Sequence, residues 1–477
     1  MKSVAFHNLG CKVNSYEMEV MQQILQSCGY EIVQFTQKAD VYIVNTCTVT
    51  NMADRKSRQM LHRAKQLNPE AVVVAAGCYA QTGLADLKKD LSVDIIVGNN
   101  HKTEIADILE EYFKGKGENE TCGQFENVSN LDAPTDYENA KLYDKAERTR
   151  VDIKVQDGCN QFCSYCAIPL ARGRVRSRKP EDVIDEIKTL VSNGHLEVVL
   201  TGIHISSYGI DFDDKAWENG EIKPSTHESE KSGEMMRDYR GESKLIDLIE
   251  MIAALPENQK PKRIRLGSFE PRILTQETCE KLASIKEICP HFHISLQSGC
   301  DETLKRMNRH YTAKEYEEAV NNLRQAYAKI GRRVAITTDV IVGFPGETES
   351  EFEQTREYLE RINLYEMHIF KFSRRKGTVA DKMKEQVPES AKEIRSNILL
   401  DMTAHQSENY RKNCVGQVAE VLFEEEKNGM LIGHSDDYLK IGVKVSDKDK
   451  TSIGPGALCE IRIGQVLDGD LMIGELV

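Results

Sequence analysis

Short apolar runs alternate with segments of helical periodicity over the first 113 residues. The apolar runs cover residues 4–9, 41–44, 71–76 and 95–97, and the helical patterns cover residues 15–27, 54–67 and 105–113. Apolar runs of this length, separated by helical stretches, are typical of parallel strands joined by helices. We therefore predict an open parallel α/β sheet domain over residues 1–113.

The same alternation repeats six times between residues 149 and 375. Strand patterns cover residues 151–155, 197–200, 263–266, 293–296, 334–338 and 367–372. Helical patterns cover residues 180–192, 244–255, 276–288, 313–329 and 349–362. Six such units predict a partial (β/α)6 barrel, and in barrels of this kind the chemistry gathers at the carboxyl ends of the strands.

The C-terminal part of the chain changes to short alternating segments. A helical connector is predicted over residues 376–409. Within residues 410–477, alternating segments lie at 417–423, 431–434, 439–445, 457–464 and 470–476, separated by turn residues. This pattern predicts a small β-barrel, a fold that often binds nucleic acid. Because eight basic and twelve acidic residues follow from Arg411 onward, any such contact is expected to use a restricted face.

Two segments lack periodicity. Residues 114–148 turn to Gly, Asn, Glu, Asp and Thr, which predicts a linker between the first two domains. Residues 211–240, rich in Asp, Glu, Lys and Ser, are typical of an insertion in the second domain. We expect no chemistry from the insertion.

Composition and charge limit the possible classes of protein. A chain of 477 residues is too long for one core and suggests about three domains. The net charge of −13 argues against a surface covered with phosphate-binding groups, so any contact with nucleic acid must be local. Thirteen cysteines without an apolar leader, and no apolar run long enough to span a membrane, predict a reduced, soluble, cytoplasmic protein with no membrane contact.

The most specific motif is a Cys-x3-Cys-x2-Cys triplet formed by Cys159, Cys163 and Cys166, directly after the first strand of the predicted barrel. Cysteine thiolates hold iron–sulfur clusters, and a cubane bound by only three keeps one iron open for an outside ligand. The alternative is a zinc site completed by a histidine. Zinc ligands usually come as two closely spaced pairs, whereas His195 is the only Cys or His in the thirty residues after Cys166. The spacing therefore favours a cluster.

Three cysteines of the first domain each follow a predicted strand. Cys11, Cys47 and Cys78 come after the apolar runs that end near residues 9, 44 and 76. The carboxyl ends of neighbouring parallel strands share one rim of a sheet, so these cysteines can meet there as a second three-thiolate site. The alternative is that they are ordinary buried cysteines. Their shared position favours a ligand set.

Polar residues and glycine also follow the later strands of the predicted barrel. Glycine permits close approach of the backbone to a ligand, and carboxylates and amides bond ribose or amino groups. Each of these residues has the alternative of simply ending a strand. The candidates for a cofactor site at this rim are Thr201, Gly202, Ser268, Glu270, Gln297 and Asp339.

A basic run follows the central triplet. In an acidic protein such a run is a plausible contact for RNA phosphates, and the alternative is a solvated loop. The candidate residues are Arg172, Arg174, Arg176 and Arg178.

The Cys159 triplet is similar to the radical S-adenosylmethionine (SAM) superfamily, whose open iron chelates the amino and carboxylate groups of SAM. The order of domains over nearly the whole chain resembles the methylthiotransferase family, whose C-terminal barrel is called TRAM. Residues 294–301 (Ile-Ser-Leu-Gln-Ser-Gly-Cys-Asp), 307–311 (Met-Asn-Arg-His-Tyr) and 169–174 (Pro-Leu-Ala-Arg-Gly-Arg) are most similar to the tRNA N6-threonylcarbamoyladenosine methylthiotransferases. The long acidic insertion and the acidic TRAM-like domain depart from that pattern.

The resemblance implies two [4Fe-4S] clusters, an auxiliary one on Cys11, Cys47 and Cys78 and a SAM cluster on the central triplet. It further implies that one SAM is cleaved to a 5′-deoxyadenosyl radical that removes hydrogen from C2 of the modified adenosine next to the tRNA anticodon. Sulfur from the auxiliary cluster, methylated by a second SAM, would then be added. The expected partners are tRNA and a reductant such as flavodoxin or ferredoxin.

Three alternatives stay open. The same chemistry could act on isopentenyladenosine in tRNA or on an aspartate of a ribosomal protein, and the chain could be a zinc-holding RNA-binding protein without enzyme activity.

Overall fold

The computed structural model describes residues 1–118, 124–131, 136–144, 146, 148–212, 242–444 and 453–477. The predicted insertion at 211–240 lies outside the described residues except for its first two positions.

The first domain is built on a six-stranded sheet in which every neighbouring pair is parallel. The strands are β1 (Ser3–Asn8), β2 (Glu31–Val33), β3 (Val41–Thr46), β4 (Val72–Gly77), β5 (Ile95–Val97) and β6 (Phe125–Asn127). Their spatial order is β2-β1-β3-β4-β5-β6. The helices are α1 (Lys12–Ser27), α2 (Asn51–Leu67), α3 (Cys78–Thr82), α4 (Leu84–Leu87) and α5 (Ile105–Glu118). The predicted open parallel α/β sheet is confirmed.

The strand β6 corrects the predicted boundary, because it lies inside the stretch interpreted as a linker. Phe125 pairs with Ile95 of β5 and packs against the apolar core on one face of the sheet. A strand of three residues is too short to produce a recognisable alternation, so only its pairing with β5 reveals it.

The central strands of this sheet are apolar on both faces. All residues of β3 and β4 are buried. Alternate side chains enter two separate cores, with Val41 and Ile43 on one side and Tyr42 and Val44 on the other. Helices on both faces of a parallel sheet produce this continuous apolar pattern.

The second domain is a partial barrel of six parallel strands. They are β7 (Arg150–Asp157), β9 (Glu197–Gly202), β10 (Arg263–Leu266), β11 (His291–His293), β12 (Ala335–Val342) and β13 (Glu366–Lys371), and a short strand β8 (Arg176–Ser177) pairs antiparallel with β7. Strands β7, β9 and β10 form one parallel group and β11, β12 and β13 another. Bridges from Ile264 to Ile288 and from Phe269 to Ile294 join the two groups. The barrel prediction is thereby confirmed.

Eight helices among the described residues belong to this domain. They are α6 (Ile168–Arg172), α7 (Pro180–Ser192), α8 (Leu245–Ala253), α9 (Gln276–Ser284), α10 (Asp301–Arg306), α11 (Ala313–Lys329), α12 (Glu349–Ile362) and α13 (Val379–Lys382). Of these, α7, α8, α9, α10, α11 and α12 contribute to the core that covers the outside of the barrel. The start of α11 is set by a capping box, in which Thr312 accepts from the backbone of Glu315 while the Glu315 side chain accepts from Thr312. The large apolar core lies between the strands and these helices.

The chain ends in one long helix and a closed five-stranded barrel. The helix α14 spans Glu389–Cys414, and the strands are β14 (Val418–Lys427), β15 (Met430–Ser435), β16 (Lys440–Lys444), β17 (Leu458–Asp468) and β18 (Leu471–Leu476). They close in the order β14-β15-β16-β18-β17. The predicted small β-barrel is confirmed, although α14 continues to Cys414, past the predicted boundary.

The terminal barrel docks on the amino-terminal ends of the central strands. Arg150, the first residue of β7, pairs with Glu424 at 3.0 Å, and Arg333, just before β12, pairs with Asp437 at 2.7 Å. Arg263, at the start of β10, also pairs with Glu420. These arginines neutralise part of the negative charge that the sequence gives to the terminal domain. The acidic composition of that domain is therefore partly explained by its attachment to the central domain.

None of the helices in the described residues combines the length and apolar character needed to cross a bilayer.

Candidate active site

The central cysteine triplet lies in the loop between β7 and α6. The backbone amide of Cys159 donates to the carbonyl of Gly173 at 3.1 Å, and that of Cys166 donates to the carbonyl of Cys163 at 2.9 Å. The amide of Ile168, the first residue of α6, donates to the Cys166 sulfur at 3.4 Å. Backbone hydrogen bonds thus hold the loop in a fixed shape around the three thiols.

The three thiols line one cavity of about 130 Å³ at the carboxyl ends of the barrel strands. Burial raises the pKa of Cys159 to about 12, and the neighbouring Cys163 contributes to the rise. Burial, together with the nearby Cys163 and Cys159, also raises the pKa of Cys166. Three adjacent buried thiols ionise only when a positive partner joins them, and bound iron is such a partner. The donor set therefore fits an iron–sulfur cluster.

Arg309 lies at the edge of the cluster loop. Its Nη1 donates to the Cys163 sulfur at 3.1 Å, and its guanidinium group lies 4.8 Å from the ring centre of Tyr311. The Tyr311 hydroxyl donates in turn to the carbonyl of Ser295 at 2.6 Å. Sequence reasoning assigned no role to Arg309, although it belongs to the 307–311 motif that carries the family resemblance.

Two of the six predicted cofactor-binding residues line the same cavity, namely Ser268 and Glu270. The cavity also contains His204, which sequence reasoning missed. Its Nδ1 bonds the Ser207 hydroxyl at 2.6 Å, while its buried Nε2 has no partner among the described residues. Burial lowers the pKa of His204 to about 4, so the ring is neutral at pH 7. An unpaired polar atom on a residue that lines this cavity is suited to a polar ligand.

The other four predicted residues lie outside this cavity. Thr201 and Gly202 end β9, and Gly202 lies against the side chain of Gln156. Gln297 adopts a left-handed backbone conformation with φ of 72°, and its backbone N–H donates to the backbone carbonyl of Asp339 at 2.9 Å. Their role in holding SAM stays a prediction.

The first-domain cysteines come together as predicted from their positions after the strands. Cys11 precedes α1, Cys47 follows β3 and Cys78 begins α3. Burial, together with the nearby thiols of Cys78 and Cys11, raises the pKa of Cys47 to about 11. Because a Cβ on Gly10 would approach the Cys47 sulfur to 3.1 Å, glycine is needed where the chain passes this thiol.

The two three-thiol sites are neighbours. Helix α3, which starts at Cys78, packs against α6, which directly follows the central triplet. Asn99 connects them, because its Nδ2 donates to the Ala171 carbonyl at 2.6 Å and lies 3.6 Å from the Cys78 sulfur. The fold thus holds both sites at one junction between the two domains.

The structure corrects the interpretation of the basic run as a row of tRNA phosphate contacts. Arg172 is 0% exposed and bonds Glu17 at 2.8 Å, Asp157 at 3.0 Å and Asn14 at 2.6 Å. Although burial favours the neutral acid, Arg172, Lys102 and Lys154 together hold the pKa of Glu17 well below its usual value. Arg172 therefore belongs to a buried ionic network that joins α1 of the first domain to β7 of the barrel.

Arg176 and Arg178 are also buried and paired. Arg176 lies 3.5 Å from Asp157, and Arg178 pairs with Glu186 on α7. Carboxylates from other elements thus occupy these guanidinium groups, which removes them as phosphate contacts. Arg174 differs because it is only partly buried, with its guanidinium group 4.3 Å from the ring centre of Phe162. Its role as a phosphate contact stays a prediction.

Two protein families match this chain. Residues 153–359 match the radical SAM superfamily, and residues 3–98 match a family described as uncharacterized protein family UPF0004. The first match contains the central triplet, and the second contains Cys11, Cys47 and Cys78.

A solved structure with a similar fold is the radical SAM methyltransferase TsrM from Kitasatospora setae, with cobalamin and a [4Fe-4S] cluster bound. It has a TM-score of 0.50 and 15% identity, and the match covers 92% of this chain and 82% of TsrM. At this identity the likeness concerns the fold alone.

Curated relatives match over nearly the full length. The tRNA-2-methylthio-N6-dimethylallyladenosine synthase of Aquifex aeolicus (strain VF5) is 31% identical over 91% of this chain and 90% of its own length. The threonylcarbamoyladenosine tRNA methylthiotransferase MtaB of Bacillus subtilis (strain 168) is 38% identical over 93% of this chain and 91% of its own length. With its radical SAM barrel and two adjacent three-cysteine sites, the chain belongs to the family of MtaB threonylcarbamoyladenosine tRNA methylthiotransferases.

Proposed function

We propose that this protein adds a methylthio group to C2 of N6-threonylcarbamoyladenosine next to the anticodon of tRNA. The observation that supports this most directly is the adjacency of the two three-thiol sites, because insertion of sulfur needs a sulfur source beside the site that activates SAM. Higher identity to the threonylcarbamoyladenosine enzyme than to the dimethylallyladenosine enzyme supports the choice of substrate. The ribosomal-protein and zinc-binding alternatives are not favoured.

The chain's own residues hold and shield the cofactors. Cys159, Cys163 and Cys166 would bind three irons of the SAM cluster and leave the fourth open for SAM. Glu270 is largely buried in the same cavity, and its carboxylate accepts from Arg272 at 2.7 Å and 3.3 Å. Its remaining lone pairs would accept from an amino or hydroxyl group of SAM. Arg309 donates to the thiol of Cys163 and is placed to stabilise the negative charge of that ligand.

The first-domain thiols would hold the auxiliary cluster. Cys47 and Cys78 are buried, and burial also raises the pKa of the Cys11 thiol, although the Cys11 residue as a whole is exposed. When bound, the two clusters and SAM supply the electron-transfer, sulfur-transfer and methyl-transfer chemistry. The packing of α3 on α6 places the two sites next to each other.

Two partners follow from this proposal. One is tRNA. Of the four arginines first predicted to contact its phosphates, Arg174 stays a candidate. The other is a low-potential reductant such as flavodoxin or ferredoxin, which would supply the electron for SAM cleavage.

The experiment is an assay of anaerobically reconstituted protein with SAM, a reductant and tRNA. One tRNA carries N6-threonylcarbamoyladenosine and a second carries isopentenyladenosine, and the nucleosides are analysed by mass spectrometry. We expect methylthiolation of the threonylcarbamoyl form alone. Product on the isopentenyl form would move the chain to the sister activity, and colourless, zinc-loaded protein without iron or sulfide would exclude the enzyme.

A further inference from the structure

Three polar side chains lie close together on neighbouring strands of the barrel, away from both cysteine sites. His293 on β11, Asp339 on β12 and His368 on β13 place one nitrogen or oxygen atom each within 4.8 Å of one another. His293 Nε2 lies 3.4 Å from an Asp339 oxygen, and the two imidazole rings stack with centres 5.8 Å apart. Sequence reasoning named only Asp339, as a residue that would contact SAM.

These side chains face the interior of the barrel. On the segment that contains β11, Phe292 and Ile294 enter the core beneath the helices, while Ser295 lines the cavity with the cysteine thiols. Side chains alternate along a strand, so His293 points to the same side as Ser295 and lies about 7 Å from it, toward the amino-terminal end. Asp339 and His368 pair in register on β12 and β13. The group therefore lies on the inner wall, one step below the cysteine cavity.

The group is also accessible from outside. The side chain of His293 is 16% exposed and that of Asp339 is 31% exposed, while His368 is exposed. Among the described strands, β13 ends its sheet and has β12 as its one neighbour. A group entering beside β13 can thus reach all three side chains.

The orientation of His293 is set by a second residue. Its Nδ1 lies 3.0 Å from the Thr337 hydroxyl. The same hydroxyl lies 3.3 Å from Nε2 of His291. Thr337 thus holds the His293 ring with its Nε2 toward Asp339 and toward any ligand that binds there.

We propose that His293, Asp339 and His368 bind the threonylcarbamoyl substituent of the substrate adenosine, an inference that rests on the proposed function. The two imidazoles donate to the carboxylate of the substituent, and Asp339 accepts from its hydroxyl. C2 and the carbon that bears N6 lie two atoms apart in the same six-membered ring, so a separation of about 7 Å suits a base whose C2 faces the cysteine cavity while the substituent on N6 reaches this group.

The same group explains rejection of the sister substrate. An isopentenyl group has no polar atoms, so its binding would leave two imidazoles and a carboxylate without partners. Sites built to hydrogen-bond a substrate discriminate strongly against analogues that lack the bonding atoms. His293 and His368 are thereby specificity-determining residues, distinct from the groups that hold SAM.

The first test compares substrates on the wild-type holoenzyme. An RNA stem-loop that carries the threonylcarbamoyl group is presented as the free acid and as its methyl ester, which keeps the shape but removes the charge. We expect kcat/KM to fall at least about ten-fold for the ester, the loss typical of one charge-assisted hydrogen bond. Equal kcat/KM values would overturn the proposal without any variant.

The second test uses two variants, His368→Phe and the conservative Asp339→Asn. His405→Phe on α14 is the matched control, and the iron content of every variant is measured first. We expect the preference for threonylcarbamoyl RNA over unmodified RNA to fall at least about ten-fold in the first two variants and to stay at the wild-type value in the control. An unchanged preference in both variants would overturn the proposal. The proposal would also be overturned if the wild-type enzyme bound Mn²⁺ and the two variants did not, while their substrate preference stayed unchanged. His293, Asp339 and His368 would then form a cation site.

The two proposals fail in distinguishable ways. If the wild-type enzyme modifies only isopentenyl RNA, the proposed function is wrong. If it modifies threonylcarbamoyl RNA and both variants retain the preference, only the role of His293, Asp339 and His368 is wrong.

Discussion

At the scale of single residues, the two cysteine sets differ in their surroundings. The thiols of Cys159 and Cys166 are deeply buried with Arg309 beside them, which suits a cluster that must exclude water from bound SAM. Burial also raises the pKa of the Cys11 thiol in the first-domain set, where the guanidinium group of Arg172 counteracts the rise. The two sets are therefore expected to fail differently when mutated.

Replacing Cys163 with Ala should abolish SAM cleavage, because each thiolate holds one iron of the open cluster. Replacing Cys47 with Ala should remove the auxiliary cluster, so 5′-deoxyadenosine still forms while methylthiolated nucleoside does not. Both products are measured by mass spectrometry together with iron content, which should fall by about half in each variant. Cys28→Ala, in the same domain as Cys47 but outside both sites, is the matched control. Full methylthiolation by Cys47→Ala would contradict the auxiliary site.

At the scale of elements, the loop after β7 depends on one glycine. Gly158 directly precedes Cys159 and has φ of 67°, in the left-handed region that disfavours other residues. A Cβ at this position would collide with the backbone carbonyl of Arg174, on the returning arm that leads into β8. The antiparallel pairing of β8 with β7 therefore requires glycine where the cluster loop begins.

Gly158→Ala should displace the loop, because the collision is with backbone and no flexible side chain can yield. We expect loss of the SAM cluster, seen as reduced iron content and reduced 5′-deoxyadenosine. Gly194→Ala is the matched control, since Gly194 also has a positive φ of 91° but open space around its Cα. Normal cluster loading in Gly158→Ala would show that the loop tolerates a shift at this position.

At the scale of the whole molecule, charged residues connect the domains through buried pairs. Arg172 bonds carboxylates from both the first domain and the barrel, and Arg333 binds Asp437 of the terminal barrel. Arg375, which follows β13, reaches back to Asp54 near the start of α2 at 2.8 Å. Each pair joins segments distant in sequence, and together they attach the first domain and the terminal barrel to the central domain.

Arg172→Met should destabilise the protein by about 3 kcal/mol or more, because Glu17 and Asp157 would each lose a buried partner. The measurement is the midpoint of urea unfolding of the reconstituted protein, followed by far-UV circular dichroism and by cluster absorbance. Arg361→Met removes an ion pair with Glu317 in which the arginine is largely exposed, and should cost under about 1 kcal/mol. Equal midpoints for the two variants would refute a structural role for the Arg172 network.

The sequence by itself determined the order of the three domains, the type of each fold and where the two candidate cysteine sets lie relative to the strands. These features depend on local properties: periodicity along one segment, the spacing of Cys159, Cys163 and Cys166, and the position of each first-domain cysteine after a strand. The tertiary structure alone decided which charged groups are buried. Arg172, Arg176 and Arg178 have the local pattern of a phosphate-binding run, and only Glu17, Asp157 and Glu186, brought from other elements, turn them inward. Arg309 and the group of His293, Asp339 and His368 were likewise beyond sequence reasoning, because each exists only where residues from separate strands and loops meet.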